Sequence, residues 1–186
     1  MAPTIAGMTG PDLTRLPAPG PDGRIEVFTD GACAGNPGPG GWAWAVAPEG
    51  LVHASGGEAR TTNQRMELLA VLEALRTVPG AVRIVSDSTY VVHCFRDRWW
   101  VKWQRNGWRN SKKEPVANTD LWMPLVELVQ ETAPEFRWVK GHSGHPMNDL
   151  VDRLAVAASQ GPFVDTTAAT PSAAPDTGGQ LSFDLG

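Results

Sequence analysis

The chain has 186 residues, with 16 Lys and Arg against 20 Asp and Glu, a net charge of −4, two Cys and eight Trp. This length predicts one domain of moderate size. No long apolar run and no secretory signal pattern is present, which argues against a membrane-spanning or secreted protein. Two Cys are too few for a disulfide framework, so we expect a cytoplasmic protein, and we expect it to act as a monomer.

Composition divides the chain into a central domain and two extensions. Residues 1–23 and 161–186 are rich in Pro, Gly or Ala and lack periodicity, so we expect them to be flexible, with the folded domain over 24–160. Apolar patterns predict strands over 24–29, 42–47, 51–58, 81–86 and 135–140, and helices over 63–78, 88–95, 118–132 and 148–159. This order predicts an α/β fold with a mixed sheet.

A glycine-rich stretch at residues 35–41 follows the first predicted strand. Residues 38–43 match the dinucleotide-binding pattern G-x-G-x-x-A, but that pattern requires a helix next, at whose N-terminus the pyrophosphate binds. A strand pattern follows here instead. We therefore interpret the stretch as a tight loop between two strands.

Four acidic residues occupy positions that suit a shared site. Asp30 and Asp87 end the first and fourth predicted strands, Glu67 lies in the first turns of a helix, and Asp152 lies on the last helix. If the two strands are parallel neighbours, their carboxylates meet at one edge of the sheet. Like charges about 4 Å apart cost roughly 4 kcal/mol at an effective dielectric near 20, so such a cluster takes up protons or divalent cations.

Two histidines lie in the loop between the last strand and the last helix. The spacing of His142 and His145 is compatible with zinc, but no Cys is near and the other candidate ligands are carboxylates, which favour Mg²⁺ or Mn²⁺. A loop histidine beside carboxylates suits proton transfer or product handling. The alternative is that each ring is bonded only to local backbone.

Charge is concentrated in one segment of the chain. Residues 96–113, the basic segment, contain seven basic residues and one acid, so they carry +6 while the remainder carries −10. Trp residues are interleaved with the cations, which is typical of a surface that binds a nucleic acid. Because some of these Trp are at helical spacing, we expect part of the stripe to pack in the core and the basic face to bind.

Five ordered motifs resemble those of the bacterial type 1 ribonucleases H. They are 28–41 (FTDGACAGNPGPGG), 61–68 (TTNQRMEL), 86–88 (SDS), 118–122 (NTDLW) and 139–146 (VKGHSGHP), followed by Asn148 and Asp152. The resemblance implies a ribonuclease H-like fold, in which a five-stranded mixed sheet is flanked by helices and the basic segment forms a protrusion. It also implies endonucleolytic hydrolysis of the RNA strand of RNA–DNA hybrids, leaving 5′-phosphate and 3′-hydroxyl ends.

The resemblance further implies roles for individual residues. Asp30, Glu67, Asp87 and Asp152 correspond to carboxylates that hold two Mg²⁺ ions, for which Mn²⁺ can substitute, and His142 corresponds to a mobile catalytic histidine. The minor-groove contacts of the family correspond to Cys33, Gly35, Asn36, Asn63 and Gln64. A pocket for a DNA phosphate corresponds to Asn36, Arg60 and Thr62. The protrusion that grips the hybrid corresponds to Trp99, Lys102, Trp103, Arg105, Lys112 and Lys113.

Some alternatives stay open at this point. A non-catalytic hybrid-binding module and a nucleotide-cofactor enzyme are the two other functional hypotheses. Near the end of the chain, residues Gln180 to Leu185 (QLSFDL) loosely resemble the peptides that dock replication proteins on the bacterial sliding clamp. A tail without a partner is the alternative there.

Overall fold

Five strands form one sheet in the computed structural model, which describes residues 11–163. The strands are β1 (Ile25–Cys33), β2 (Gly38–Val46), β3 (His53–Thr61), β4 (Val82–Ser86) and β5 (Glu135–Trp138). The helices are α1 (Asn63–Thr77), α2 (Thr89–Arg96), α3 (Trp99–Arg105), α4 (Thr119–Thr132) and α5 (Pro146–Ala158). The predicted α/β class and the five-stranded mixed sheet are therefore confirmed.

The strand order is β3-β2-β1-β4-β5, with antiparallel pairing among the first three strands and parallel pairing of β4 with both β1 and β5. Because β1 and β4 are parallel neighbours, residues near their carboxyl ends lie side by side. The first and fourth strands therefore meet the condition on which a shared acidic site depends. This edge of the sheet is where the acidic residues of the two strands meet.

Helices cover both faces of the sheet, and each face has its own apolar core. On one face, α1, α2 and α4 pack around the fully buried Trp44 and Trp122. On the other face, α5 packs across β1 and β2 with Phe28, Val85 and Val151 in contact. The position of each helix therefore depends on burial of its apolar side against the sheet.

Local signals in the sequence account for the starts of three helices. The Thr62 hydroxyl accepts a bond from the backbone N–H of Arg65 at the start of α1, and Ser88 caps α2 in the same way through Val91. Pro146 is the first residue of α5, where its fixed φ and missing N–H are tolerated. The signals at α1 and α5 therefore fix where the helices that carry Glu67 and Asp152 begin.

The glycine-rich stretch differs from its prediction as a loop. Residues from Gly38 onward belong to β2, and β1 extends beyond Asp30 to pair with them. A Cβ on Gly41 would lie 2.2 Å from the Ala155 carbonyl oxygen, so the missing side chain lets α5 pack directly on the sheet. Gly41 is therefore required by close helix–sheet contact rather than by a turn.

The basic segment consists of the end of α2, the short helix α3 and an irregular return that precedes α4. Trp103 packs edge-to-face on Trp122, with ring centroids 5.3 Å apart, and also contacts Trp108. Trp99 is 39% exposed. The expected division therefore holds for these rings, since Trp103 attaches α3 to the core while Trp99 faces solvent.

Part of the segment predicted as a flexible N-terminal extension packs on the domain. Residues 11–23 include a 3₁₀ turn at Leu13–Arg15, Leu16 packs against the core, and Asp22 pairs with Arg83 on β4. One apolar contact and one ion pair therefore place the start of the packed chain before residue 24. Within residues 11–163, no helix combines the length and the apolar character needed to cross a membrane.

Candidate active site

Asp30 is the central member of the acidic group. It lies inside β1, is 9% exposed, and accepts a bond from the Gly31 N–H at 2.8 Å. Burial, together with the charges of Asp87, Asp152 and Glu67, raises the pKa of Asp30 to about 8 against the lowering effect of that backbone bond. All three other carboxylates therefore act on Asp30 at this edge of the sheet.

The four carboxylates interact through their charges but do not yet form a closed ligand set. Within residues 11–163, no three His, Cys, Asp or Glu side chains converge closely enough to coordinate one ion together. Like charges in a partly buried site repel one another, so bringing these side chains onto one point requires a cation. The group thus offers hard oxygen donors that require only side-chain movement to surround a cation.

Glu67 is held at both of its carboxylate oxygens. Asn63 Nδ2 donates to Oε1 at 2.9 Å, and Ser88 Oγ donates to Oε2 at 2.6 Å. Burial raises the pKa of Glu67, the Ser88 bond opposes that rise, and the Asp87 charge adds to it. The carboxylate is therefore oriented by two elements at once, the first turn of α1 and the N-cap of α2.

Asp87 follows β4 directly and has three contacts that position it. Asn148 Nδ2 donates to its Oδ2 at 3.2 Å, and Trp138 Nε1 donates to its backbone carbonyl at 3.0 Å. A Cβ on Gly141 would lie 2.6 Å from Oδ2, so the loop after β5 passes immediately beside this carboxylate. The loop that carries His142 is therefore placed against the acidic group.

The two loop histidines have different surroundings. His142 is exposed and adopts a positive φ of 50°. The ring of His145 stacks on Phe28 with centroids 4.9 Å apart. Both rings are therefore exposed, but His145 is held by its stack on Phe28, whereas no such ring contact holds His142 among the described residues.

The predicted minor-groove residues lie around the turn between β1 and β2 and at the start of α1. Cys33 ends β1, with its Sγ 3.5 Å from the Gly38 carbonyl oxygen. Gly35 has a φ of 91° in the turn, and the Asn36 Oδ1 accepts a bond from the Asn63 N–H at 3.3 Å. The structure therefore brings these residues together.

The remaining predicted contacts near this turn lie where β3 leads into α1. Arg60 and Gln64 are exposed, and Thr62 between them is half-buried as the N-cap of α1. Asn36 is exposed in the neighbouring turn. These positions are accessible from the same side as the predicted minor-groove residues.

A family model described as RNase H matches residues 22–160. The chain belongs to the RNase H family. A ribonuclease H of Nitratidesulfovibrio vulgaris (strain DP4) is 52% identical over 136 residues, which cover 72% of this chain and 87% of that protein. The resemblance to the type 1 ribonucleases H is thereby confirmed.

Solved structures of RNase H proteins have the same fold. LC9-RNase H1, a type 1 RNase H with the type 2 active-site motif, has a TM-score of 0.62 and 34% identity, covering 77% of this chain and 74% of its own. LC11-RNase H1 in complex with an RNA/DNA hybrid has a TM-score of 0.55 and 22% identity, covering 74% and 97%, and shows likeness of fold. As a member of the RNase H family, this chain is an enzyme, a nuclease that hydrolyses its substrate.

The basic segment of this RNase H presents several cations to solvent. Arg98, Val101, Lys102, Arg105 and Asn106 line a depression of about 500 Å³ on α3. Lys112 and Lys113 are exposed in the return, which is held together by a bond from the Arg109 Nη1 to the Lys113 carbonyl. Every predicted cation of the segment is therefore accessible.

Three residues that position the carboxylates of this RNase H are absent from the predicted site. Ser88 and Asn148 lie inside the recognised motifs, so motif membership was a signal for them. Trp138 is 45% exposed at the end of β5 and had no sequence signal, because its bond to the Asp87 carbonyl depends on β4 and β5 being neighbours.

Proposed function

We propose that this RNase H is an endonuclease that hydrolyses the RNA strand of RNA–DNA hybrids with two divalent metal ions, leaving 5′-phosphate and 3′-hydroxyl ends. The observation that carries the proposal is the grouping of four carboxylates at the edge where parallel β1 and β4 run side by side, three of them close enough for their charges to act on the buried Asp30. A nuclease has to bring a polyanion to this acidic edge, and divalent cations offset the repulsion. The hybrid bound to the neighbour LC11-RNase H1 supports this substrate class.

The residues present fit divalent metal ions. The four carboxylates are hard oxygen donors, and Asn148 Oδ1 is buried beside them without a hydrogen-bond partner in the described part of the chain. Dependence on divalent metal is general in the RNase H family, and an oxygen donor set favours Mg²⁺, with Mn²⁺ as a substitute. Asp30, Glu67, Asp87 and Asp152 would hold the ions, with Asp30 the most buried of the four carboxylates.

When bound, the ions would supply a water of lowered pKa and would stabilise charge on the departing 3′-oxygen. The chain's own residues provide the geometry. Asn63 and Ser88 orient Glu67, and Asn148 orients Asp87. His142, exposed on the loop beside Asp87, is suited to carry a proton to or from the leaving group or to assist product release.

Selectivity for RNA requires contacts to 2′-hydroxyl groups across the wide minor groove. The side chains and backbone of the β1–β2 turn and of the α1 start are proposed to make them, with the DNA phosphate placed at Arg60 and Thr62. Their grouping beside Glu67 supports this assignment. The predicted contacts are Cys33, Gly35, Asn36, Asn63 and Gln64.

One experiment tests the proposed reaction. Labelled RNA–DNA hybrid, double-stranded RNA and double-stranded DNA are incubated with wild type and with Asp87→Asn, in Mg²⁺, Mn²⁺ or EDTA. We expect wild type to cleave only the hybrid and only with metal. Asp87→Asn should lower the rate by about 10³-fold, because a metal ligand loses its charge.

The same assay separates the alternatives. Hybrid binding without cleavage in any metal would indicate a non-catalytic binding module. Cleavage that is insensitive to EDTA or to Asp87→Asn would overturn the two-metal mechanism. A nucleotide-cofactor enzyme is disfavoured because a strand, rather than a helix, follows the glycine-rich stretch.

The basic segment is predicted to bind the hybrid backbone electrostatically. Lys102→Gln combined with Arg105→Gln should weaken hybrid binding and reduce the slope of log affinity against log salt by about 2, because each phosphate contact contributes about one unit. Fluorescence anisotropy at several salt concentrations measures this slope. Arg15→Gln with Arg76→Gln removes the same charge outside the segment, and an equal loss of slope in that control would contradict the assignment.

Three further properties concern the clamp-docking peptide, the cellular location and the oligomeric state. Residues 180–185 lie outside the described residues, so docking on a sliding clamp stays a prediction. Cys33 and Cys94 are free thiols, which fits the reducing cytoplasm that we propose as the location. We also propose that the enzyme acts as a monomer.

A further inference from the structure

Asn63 connects the exposed β1–β2 turn with the carboxylate of Glu67. Its backbone N–H donates to Asn36 Oδ1 at 3.3 Å, and its side-chain Nδ2 donates to Glu67 Oε1 at 2.9 Å. Asn63 is half-buried, while Asn36 is exposed. One residue therefore touches both the surface proposed to receive the hybrid and a proposed metal ligand.

The two hydrogen bonds to Glu67 differ in how firmly they are held. Ser88 is buried, and its Oγ also accepts a bond from the Val91 N–H as the N-cap of α2, so its bond to Oε2 is fixed by that helix. Asn63 is the first residue of α1, next to the exposed Gln64, and is itself only half-buried. A ligand arriving at the turn can therefore reach the Asn63 amide but not the Ser88 hydroxyl.

We propose that Asn63 is a latch on Glu67. In the free protein the Asn63 amide donates a hydrogen bond to Oε1 of Glu67. When a hybrid binds at the β1–β2 turn, the amide bonds to the hybrid instead. Oε1 is then available to a divalent cation. The 2′-hydroxyl oxygen of RNA accepts hydrogen bonds and can replace the carboxylate as the acceptor for Nδ2. The identity of the ligand rests on the proposed function.

The latch makes metal binding depend on substrate. Giving up the amide bond frees Oε1 from a competing donor, so the cation binds more tightly once the hybrid is present. By linkage, the cation then strengthens hybrid binding by the same factor. Asn63 acts in this way as a positioning residue, through Glu67, in addition to its own contact with the hybrid.

The test compares metal affinity in the free and bound states. Isothermal titration of Mg²⁺ into the full chain measures the free state, and the Mg²⁺ dependence of single-turnover hybrid cleavage measures the bound state. Asn63→Ala should bind Mg²⁺ about fivefold to tenfold more tightly in the free state, because the competing charged hydrogen bond is gone. The bound-state Mg²⁺ midpoint should match wild type.

Matched variants separate the latch from a general disturbance of α1. Asn63→Ser also breaks the bond and should behave like Asn63→Ala, and thermal unfolding of both verifies folding. Gln64→Ala removes an adjacent exposed side chain that has no hydrogen bond to Glu67 among residues 11–163. It should weaken hybrid binding while leaving free-state Mg²⁺ affinity at the wild-type value.

The latch would be overturned if both Asn63 variants bound Mg²⁺ in the free state no more tightly than wild type. It would also be overturned if Gln64→Ala gained as much free-state Mg²⁺ affinity as they do. Failure of wild type to cleave the hybrid is a different result, because it contradicts the proposed function. The calorimetric comparison still decides in that case whether Asn63 restrains Glu67.

Discussion

Asp30→Asn is expected to abolish hybrid cleavage and at the same time to stabilise the metal-free fold at alkaline pH. The rate should fall by about 10³-fold or more, because Asp30 is proposed as a ligand of the catalytic metal and the substitution removes its charge. Removing its charge also removes the repulsion that the other three carboxylates impose on a buried site. A loss of activity together with a gain in stability is expected where residues needed for function repel one another and so destabilise the fold.

The sign of the pH dependence follows from the raised pKa. Folded Asp30 keeps its proton up to about pH 8, whereas an unfolded Asp loses it near about 3.9. The folded state therefore binds more protons between these values, and the wild-type free energy of unfolding falls as pH rises through this window. In Asp30→Asn this contribution disappears, so its advantage over wild type should grow between about pH 4 and pH 8 by a few kcal/mol, each pKa unit corresponding to about 1.4 kcal/mol.

Urea unfolding in EDTA at pH 5 and pH 9 measures this difference. Glu127→Gln, which neutralises an exposed carboxylate on α4, is the control and should change neither activity nor the pH slope. If Asp30→Asn kept the wild-type slope, the electrostatic description of the acidic group would be wrong. If it retained cleavage, Asp30 would not be a central ligand.

Gly31→Ala is expected to cause a large loss of stability for the addition of a single methyl group. A Cβ at this position would lie 2.3 Å from the backbone nitrogen of Glu67 and 2.5 Å from the carbonyl carbon of Met66. Neither atom can move without shifting α1 away from β1. We expect the free energy of unfolding to fall by about 3 kcal/mol, which lowers the melting temperature by about 6–12 °C. Cleavage should also be slower, because the shift of α1 displaces Glu67.

Differential scanning calorimetry and single-turnover cleavage measure these two effects. Gly20→Ala is the matched control, since its nearest contact would be 3.4 Å from an Asp22 side-chain oxygen. It should leave the melting temperature within about 2 °C of wild type. A Gly31→Ala protein with unchanged melting temperature would show that α1 is not seated on β1 as described.

Local sequence patterns predicted most of the helices and strands, but they predicted only some of the residues at which these begin and end. The helix predicted over 63–78 is observed at Asn63–Thr77, because its cap and the Pro79-Gly80 pair are signals within a few residues of the helix. The β2 start was wrong by four residues, since glycine was interpreted as a turn residue. That glycine is tolerated in β2 because α5 lies against it, and a helix more than 100 residues away leaves no local signal.

The sequence by itself determined the family and the α/β class and predicted the acidic residues that we propose as metal ligands, because the motifs hold particular residue types at fixed positions. Tertiary structure alone decided how those residues are held. Asn148 meets Asp87 from 61 residues away, and Trp138 meets it across β4 and β5, through contacts that exist only once the strand order is set. Side-chain hydrogen bonds depend on distances of about 3 Å in space, whereas sequence patterns record only spacing along the chain.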